Sequence, residues 1–335
     1  MPLITNLAQV QEIYAQAAEK KWVIPCFCSE NLTTSEAVLS AAQDFAEKNG
    51  HKNLPVTLAI TVQYSHRPQA KYYTHTRKWD TGLKLFHADA LILSETNGPF
   101  PNVDVLLHLD HVQHDDDVEL LEKWDLSGYS SIMYDASTLP FGENINKTAE
   151  FVEKMRGKIL IEGACDEIFN ADGDTHNDLT TPEKSKKYIN KTGVDLIVAN
   201  LGTEHRAAGQ TLHYYHDVAK KIKERIGAKI VLHGLSSVSL EQVKNLYNDG
   251  ICKVNIWTML ERDSSPALLK QMVRNAVKVA GKDAVEKLIE KNWLGINALT
   301  DEKAALSHFT TTWRQDIIFS EMKKIANEFF EMWYR

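Results

Sequence analysis

The sequence predicts an α/β protein, a (β/α)8 or TIM barrel with a helical extension after it. Three observations carry this reading. Eight short apolar runs succeed one another, and each is followed by a stretch with helical spacing. The runs are apolar throughout rather than alternating, as strands covered on both faces must be. Strict βα alternation lets parallel strands close into a barrel, because each helix returns the chain to the same sheet end. The division expected is a barrel over residues 1–281 and a helical extension over 282–335, packed on the barrel or on a partner subunit.

Residues 6–19 place Leu7, Val10, Ile13 and Tyr14 on one helical face. Residues 22–28 form the first strand. Thr33 or Thr34 caps the next helix, Glu36 sits in its first turn, and Asn49-Gly50 ends it. The second strand is 55–62. Residues 64–78 are polar, basic and aromatic with no period, and read as a long loop of the kind that often carries function. A helix over 79–94 leads to the third strand, which runs from Val103 into L-L-H-L-D-H. The helix after it opens at Asp115, Asp116 and Asp117, whose charges suit a helix N-terminus. The fourth strand is 130–134, its helix 143–156, and the fifth strand 158–163. An acidic, glycine-containing loop follows, and Pro182 opens the next helix at its favoured first-turn place. Strands at 195–201, 229–233 and 251–256 complete the set, with helices near 211–226, 239–249 and 265–281.

The composition is that of an ordinary globular chain, 43% hydrophobic and 25% charged. A net charge of −7 argues against nucleic acid or an anionic membrane as the main partner. No apolar run approaches the ~20 residues of a membrane span. The first residues lack the basic start and apolar centre of a signal peptide, so a cytoplasmic protein is expected. Cys26, Cys28, Cys165 and Cys252 form no C-x-x-C pair and read as reduced core thiols.

In such a barrel the chemistry sits at the C-terminal strand ends. Those ends supply Thr61, then His108, Asp110 and His111, then Glu162, then Asn200, Thr203, Glu204 and His205, then His233, and last Asn255. A single histidine near a strand end is usually a hydrogen-bonded structural residue. His111, His205 and His233, on three separate strand ends, converge on one mouth, and three imidazoles with an open position make a catalytic metal site. By strand alternation His108 faces away from His111 and takes a packing or supporting role. His51, His66, His75, His87, His176, His213 and His216 fall in helices or loops and read as surface or local, and His114 as part of a helix start.

These residues resemble the class II, metal-dependent ketose-bisphosphate aldolases. H-L-D-H at 108–111 is similar to the family's H-x-D-H, and S-I-M-Y-D-A-S-T-L-P-F-G-E-N-I at 131–145 to its S-V-M-I-D-G-S-x-L-P-F-E-E-N-I. L-G-T-E-H at 201–205, V-L-H-G at 231–234 and K-V-N-I at 253–256 complete five blocks in family order. The resemblance implies the same barrel, one Zn2+ on His111, His205 and His233, and Asp110 as catalytic acid/base. It implies Asn255 at the carbonyl-side hydroxyls of a sugar or sugar phosphate, and Thr61 where the family has a substrate-contacting serine. Gly234, Ser236 and Thr258 fall in its other substrate-binding places. Asp172 is the nearest match to the family's acidic loop residue, with Asp174 or Glu167 as substitutes. A monovalent cation and a homo-oligomer, dimer or tetramer, also follow from the resemblance. The activity implied is reversible aldol cleavage. A metal-dependent epimerase or isomerase on the same scaffold is the alternative, and a catalytically silent barrel a third.

The phosphate-cradling parts depart from the pattern. L-H-G-G-S-G has become L-H-G-L-S-S, with Leu235 and Ser237 for glycines, and N-I-D-T has become N-I-W-T at Trp257. A side chain where glycine stood hinders backbone N–H groups from approaching a phosphate. H-G-x-Y-K-G has become H-R-A-A-G, and E-x-E-L-G has become E-G-A-C-D, which leaves Ala164 for the second acid. Either phosphorylated ketoses are still bound, with Arg206 or Ser236 compensating, or the substrate lacks that group and Trp257 fills its space. The 64–78 loop could bring Arg67, Lys71 or Arg77 to the mouth; the simpler reading is a basic surface loop.

Overall fold

A computed structural model describes residues 3–168, 179–205 and 213–334. The chain runs α1 (Leu7–Glu19), β1 (Ile24–Cys28), α2 (Leu32–Asn49), β2 (Leu54–Thr61), α3 (Gln69–Tyr72), α4 (Trp79–Leu93) and β3 (Val103–Gln113). It continues α5 (Val118–Lys123), β4 (Ser131–Asp135), α6 (Phe141–Met155), β5 (Leu160–Ala164), α7 (Pro182–Thr192) and β6 (Leu196–Val198). Then come α8 (His216–Ile226), β7 (Ile230–Leu232), α9 (Leu240–Val243), β8 (Ile251–Ile256) and α10 (Thr258–Arg274). The last elements are α11 (Ala276–Ala280), α12 (Lys282–Glu290), α13 (Leu306–Phe309) and α14 (Thr311–Trp333). Every strand pairs in parallel with the next, and β8 closes on β1, so the sheet is the barrel expected.

Burial explains the continuous apolar strands. One side of each faces the helices and enters the main core, as do Phe27, Leu58, Leu107 and Ile132. The other side faces the barrel interior, which has two layers. The lower is apolar, with Leu106, Met133, Leu160, Leu196, Val198 and Val231 packed together, and the N-terminal segment plugs it from below with Ile4 and, from α1, Val10. The upper layer is polar and leads to the mouth.

The elements differ from expectation mostly at their ends. Asn31, not Thr33 or Thr34, caps α2: its side chain accepts from Thr34 N at 3.3 Å, and Gly50 ends the helix at φ 69°. The helix expected over 239–249 is a single turn, α9, followed by a 3-10 turn over Leu246–Asp249. The final helix is part of the barrel's outer ring. α14 packs between α2 and α10, and Phe329, Phe330, Trp333 and Tyr334 join the main core. Trp333 Nε1 donates to Val243 O at 2.9 Å, and Tyr334 Oη donates to Pro55 O. Between them α11 and α12 form a satellite cluster around Val277 and Val285.

Candidate metal centre and active site

Three imidazoles meet at the C-terminal mouth. One ring nitrogen each from His111, His205 and His233 lies within 4.8 Å of the others. The approach of His111 depends on a local break in β3. Its φ is 45°, in the left-handed region, and the β3–β4 register shifts between Leu109 and Val112. A non-glycine residue held there costs about 1–3 kcal/mol and persists only where its surroundings impose it. The bulge cancels alternation, so His108, Asp110 and His111 all face the barrel interior. The expectation that His108 and His111 face opposite sides is thereby corrected.

Neighbours fix the His111 ring. His111 Nδ1 hydrogen-bonds Asp135 Oδ2 at 2.9 Å, and Tyr64 stacks on the same ring with centroids 4.3 Å apart. That leaves His111 Nε2 for the mouth, 3.1 Å from His233 Nδ1. Nitrogens bound tetrahedrally at the usual Zn–N length sit roughly 3.4 Å apart. The His233 nitrogen turned to His111 is Nδ1, and the nearest polar atom to it is another imidazole nitrogen. Three buried or half-buried imidazole nitrogens gathered this closely, two of them 3.1 Å apart, are what a divalent cation would satisfy, so the residues fit a metal. Burial opposes charge on His111, and Asp110 and Asp135 outweigh it, raising its pKa. Burial pushes His233 well below the usual imidazole range, which keeps it neutral as a ligand must be.

Asp110 lies against this cluster and is 4% exposed. Asn255 Nδ2 donates to its Oδ1 at 2.9 Å, and the Cys28 thiol donates to Oδ2 at 3.6 Å. Burial disfavours its charge, but the imidazoles of His111, His108 and His233 hold the carboxyl well below its ordinary range. Below it lies a fully buried polar group. Lys253 Nζ donates to Glu162 Oε1 at 2.6 Å, and His108 Nε2 lies 3.6 Å from Glu162 Oε2 and 3.7 Å from Asp110 Oδ1. His108 Nδ1 is fixed by Ser131 Oγ at 2.8 Å. The supporting role expected of His108 matches these contacts.

A cleft of about 640 Å3 opens over the imidazoles and Asp110. Thr61, Gly234, Ser236, Asn255 and Thr258 all line it. Gly234 is required where it stands: its φ is 69°, and a Cβ there would lie 2.7 Å from Glu204 O. Ser237, where a glycine was expected by resemblance, fastens two loops; its hydroxyl donates to Glu204 O and accepts from Glu204 N, each at 2.9 Å. The Thr61 hydroxyl bonds the 64–78 loop, donating to Arg67 O and accepting from Gln69 N at 3.1 Å. The far part of that loop is surface, with Arg77 and Lys78 exposed as expected, but its start reaches the site: Tyr64, Arg67, Gln69 and the exposed His66 line the cleft. Arg67 binds both oxygens of Glu30, which also accepts from Gln69 Nε2 at 3.0 Å and Trp257 Nε1 at 2.7 Å.

Asp172, Asp174 and Arg206 lie outside the described residues. Glu167 borders a neighbouring pocket that also touches His111 and Asp135. Sequence reasoning missed Cys28, Glu30 and Asp135. Cys28 and Asp135 end β1 and β4, and Glu30 lies two residues past β1, so a reading of all eight strand ends would have found them.

A parallel (β/α)8 barrel with three histidines and a carboxylate at its C-terminal mouth is an enzyme scaffold whose site could hold a metal ion. The chain belongs to the class II fructose-bisphosphate aldolase family, whose pattern matches residues 8–310. A fructose-bisphosphate aldolase of Streptococcus pyogenes is 31% identical over 255 residues, covering 74% of this chain and 78% of that one. One from Treponema pallidum is 26% identical over 266 residues, covering 73% and 74%. Two crystal structures share the fold at 19% identity: fructose-bisphosphate aldolase from Campylobacter jejuni, with TM-score 0.73 over 97% of this chain and 94% of that one, and the YdjI aldolase from Escherichia coli K12, with TM-score 0.66 over 97% and 96%. No described helix is long and apolar enough to cross a membrane.

Proposed function

We propose that this lyase is a zinc-dependent aldolase that reversibly cleaves a ketose phosphate or related sugar into a dihydroxyacetone-type fragment and an aldehyde. The observation that carries the reading is the placement of Asp110, whose oxygens are held by Asn255 and Cys28 directly beside the three imidazoles. The relatives' shared name supports it. His111, His205 and His233 would hold one Zn2+, which supplies Lewis-acid polarisation of the ketose carbonyl when bound. Asp110 is ionised and takes the proton from the hydroxyl beyond the bond to be broken. The carbon–carbon bond then breaks, its electron pair stays with the carbonyl-side fragment, and the aldehyde leaves. An acid returns a proton to that fragment's carbon; Asp172 holds this role in the proposal, with Glu167 next in place. Asn255 orients both Asp110 and the carbonyl-side hydroxyls.

In the same reading the enzyme works in the cytoplasm, which its four buried free cysteines suit, as a homo-oligomer. Trp293, Ile296 and Leu306, about 70% exposed on the C-terminal extension, are apolar surface that a subunit contact would cover. The test is aldehyde release from a panel of phosphorylated and free ketoses, trapped by a coupled dehydrogenase. Metal-stripped protein should be silent and Zn2+ should restore it. Ketose consumed without aldehyde would point instead to an epimerase, and full activity after metal removal would defeat the proposal.

A further inference from the structure

We infer that Arg67 is the specificity-determining residue for the aldehyde fragment, and that its guanidinium receives a terminal phosphate on that fragment. The inference rests on the aldolase reading and names the group at one end of its substrate. Asp110 stands between two sets of residues. On one side are the imidazoles of His111, His205 and His233, on or after β3, β6 and β7, to which the ketose carbonyl must turn. On the other are β1 and β2: the Cys28 thiol donates to Asp110 Oδ2, and Thr61 pairs with Asp110 in the β2–β3 register. Asp110 takes its proton from the hydroxyl beyond the bond that breaks, so the fragment that leaves as aldehyde extends over β1 and β2. Arg67 stands there, its carbonyl oxygen accepting from the Thr61 hydroxyl.

Arg67 is the one Lys or Arg among the described residues lining the cleft, and it is held in place before any substrate arrives. Glu30 accepts from Nε and Nη2, and the rings of Tyr72 and Trp257 lie 4.9 and 5.8 Å from the guanidinium carbon. A guanidinium carries five N–H donors, so three remain without a partner among the described residues. The side chain is 35% exposed, which leaves that outer edge open. A planar fork fixed in this way loses little freedom on binding an oxyanion, and three donors suit a group with three terminal oxygens. Glu30 does not cancel the charge at that edge. Its carboxylate is shared with Gln69 Nε2 and Trp257 Nε1, and it directly precedes Asn31, the cap of α2, where the helix end is partly positive. Glu261, in the first turn of α10, is pushed up to about 7 by burial and then by the Glu30 charge, so below that pH it is mostly neutral and adds no second carboxylate.

The experiment is condensation by the Zn2+-loaded full chain, with dihydroxyacetone phosphate or dihydroxyacetone as donor, whichever reacts faster. Racemic glyceraldehyde 3-phosphate is compared with racemic glyceraldehyde as acceptor. The expected kcat/KM favours the phosphorylated acceptor by about thirtyfold or more. Arg67→Met should bring that ratio to within about threefold of unity, by raising KM for the phosphorylated acceptor more than it lowers kcat. Arg67→Lys, which keeps the charge without the fork, should retain part of the preference. A loop that was merely loosened would slow both acceptors alike and leave the ratio where it was. Should Arg67→Met fail to fold, pairing it with Glu30→Gln removes both charges and leaves no unpaired carboxylate in the wall. Parent protein with no acceptor preference, or a folded variant lacking Arg67 with the parent's ratio, overturns the inference and leaves the aldolase reading standing. No condensation with any donor and acceptor overturns both.

Discussion

The Asp135 carboxylate and the His111 imidazole meet in one hydrogen bond, Oδ2 to Nδ1 at 2.9 Å, across the ends of β4 and β3. That bond selects the tautomer. With Nδ1 engaged, only Nε2 can face the mouth, and the carboxylate raises its basicity toward a cation. Asp135 is itself anchored by Gln113 Nε2 at 2.9 Å and by the N–H and hydroxyl of Ser137. Burial disfavours its charge, yet His111 first, and then the Ser137 hydroxyl and N–H, hold its pKa below the ordinary carboxylate range. Asp135→Asn should therefore weaken Zn2+ binding by about 10–100-fold while saturating metal recovers most of the rate. Competition with a chromophoric chelator measures it. An unchanged affinity would show that Asp135 does not tune the site.

Metal removal should be visible without any substrate. A cation that binds only the native state stabilises it by roughly 2.7 kcal/mol at a hundred times its Kd. Thermal unfolding of chelator-stripped protein should shift upward on adding Zn2+, and His233→Ala should show almost no such shift. An equal shift in both proteins would place the ion elsewhere.

Asp110→Asn tests proton transfer apart from metal binding. The amide is isosteric and can still face Asn255, but it cannot accept the substrate's proton. The expected loss in kcat is about 10²–10⁴-fold, with Zn2+ affinity within a few-fold of the parent. Turnover near the parent rate would remove Asp110 from the chemistry.

How much of this was legible in the sequence depends on the scale of the feature. The barrel was legible because eight doubly covered strands leave unmistakable apolar runs. The three histidines were legible because His111 and His233 end such runs and His205 lies four residues past one. The joint orientation of Asp110 and His111 was not, because strict alternation places neighbours on opposite faces and a bulge leaves no residue-type signal when the positive φ falls on histidine. Arg67 in the 64–78 loop is hidden for a related reason. The loop's basic residues look solvated in sequence, and Arg77 and Lys78 are, while Glu30, far along the chain, turns Arg67 inward.

Lys253 and Glu162 are fully buried and hydrogen-bonded at 2.6 Å. Burial opposes the Lys253 charge, and the neighbouring Glu162 and Asp110 outweigh it, so the ammonium stays protonated. Removing one partner leaves the other charged in a dry interior. Lys253→Met should cost about 3–5 kcal/mol, and pairing it with Glu162→Leu should recover much of that. Urea unfolding of the parent, the single and the double variant measures both numbers. A single variant within about 1 kcal/mol of the parent would show that the pair contributes little.

Glu261 gives the fold a pH dependence of known sign. Burial, reinforced by the Glu30 charge, pushes its carboxyl up to about 7. In the unfolded chain the same group titrates near 4.3. Between those values the native state holds a proton that the unfolded state has lost, so stability falls as pH rises through that window and the full penalty is present above it. Glutamine mimics the protonated acid. Glu261→Gln should match the parent near pH 4 and exceed it by about 1–2 kcal/mol at pH 8, after allowance for solvent screening. Thermal or urea unfolding at the two pH values is sufficient. A variant no more stable than the parent at pH 8 would show that Glu261 ionises in the fold without penalty, and that the wall beside Arg67 is more open to water than its burial implies.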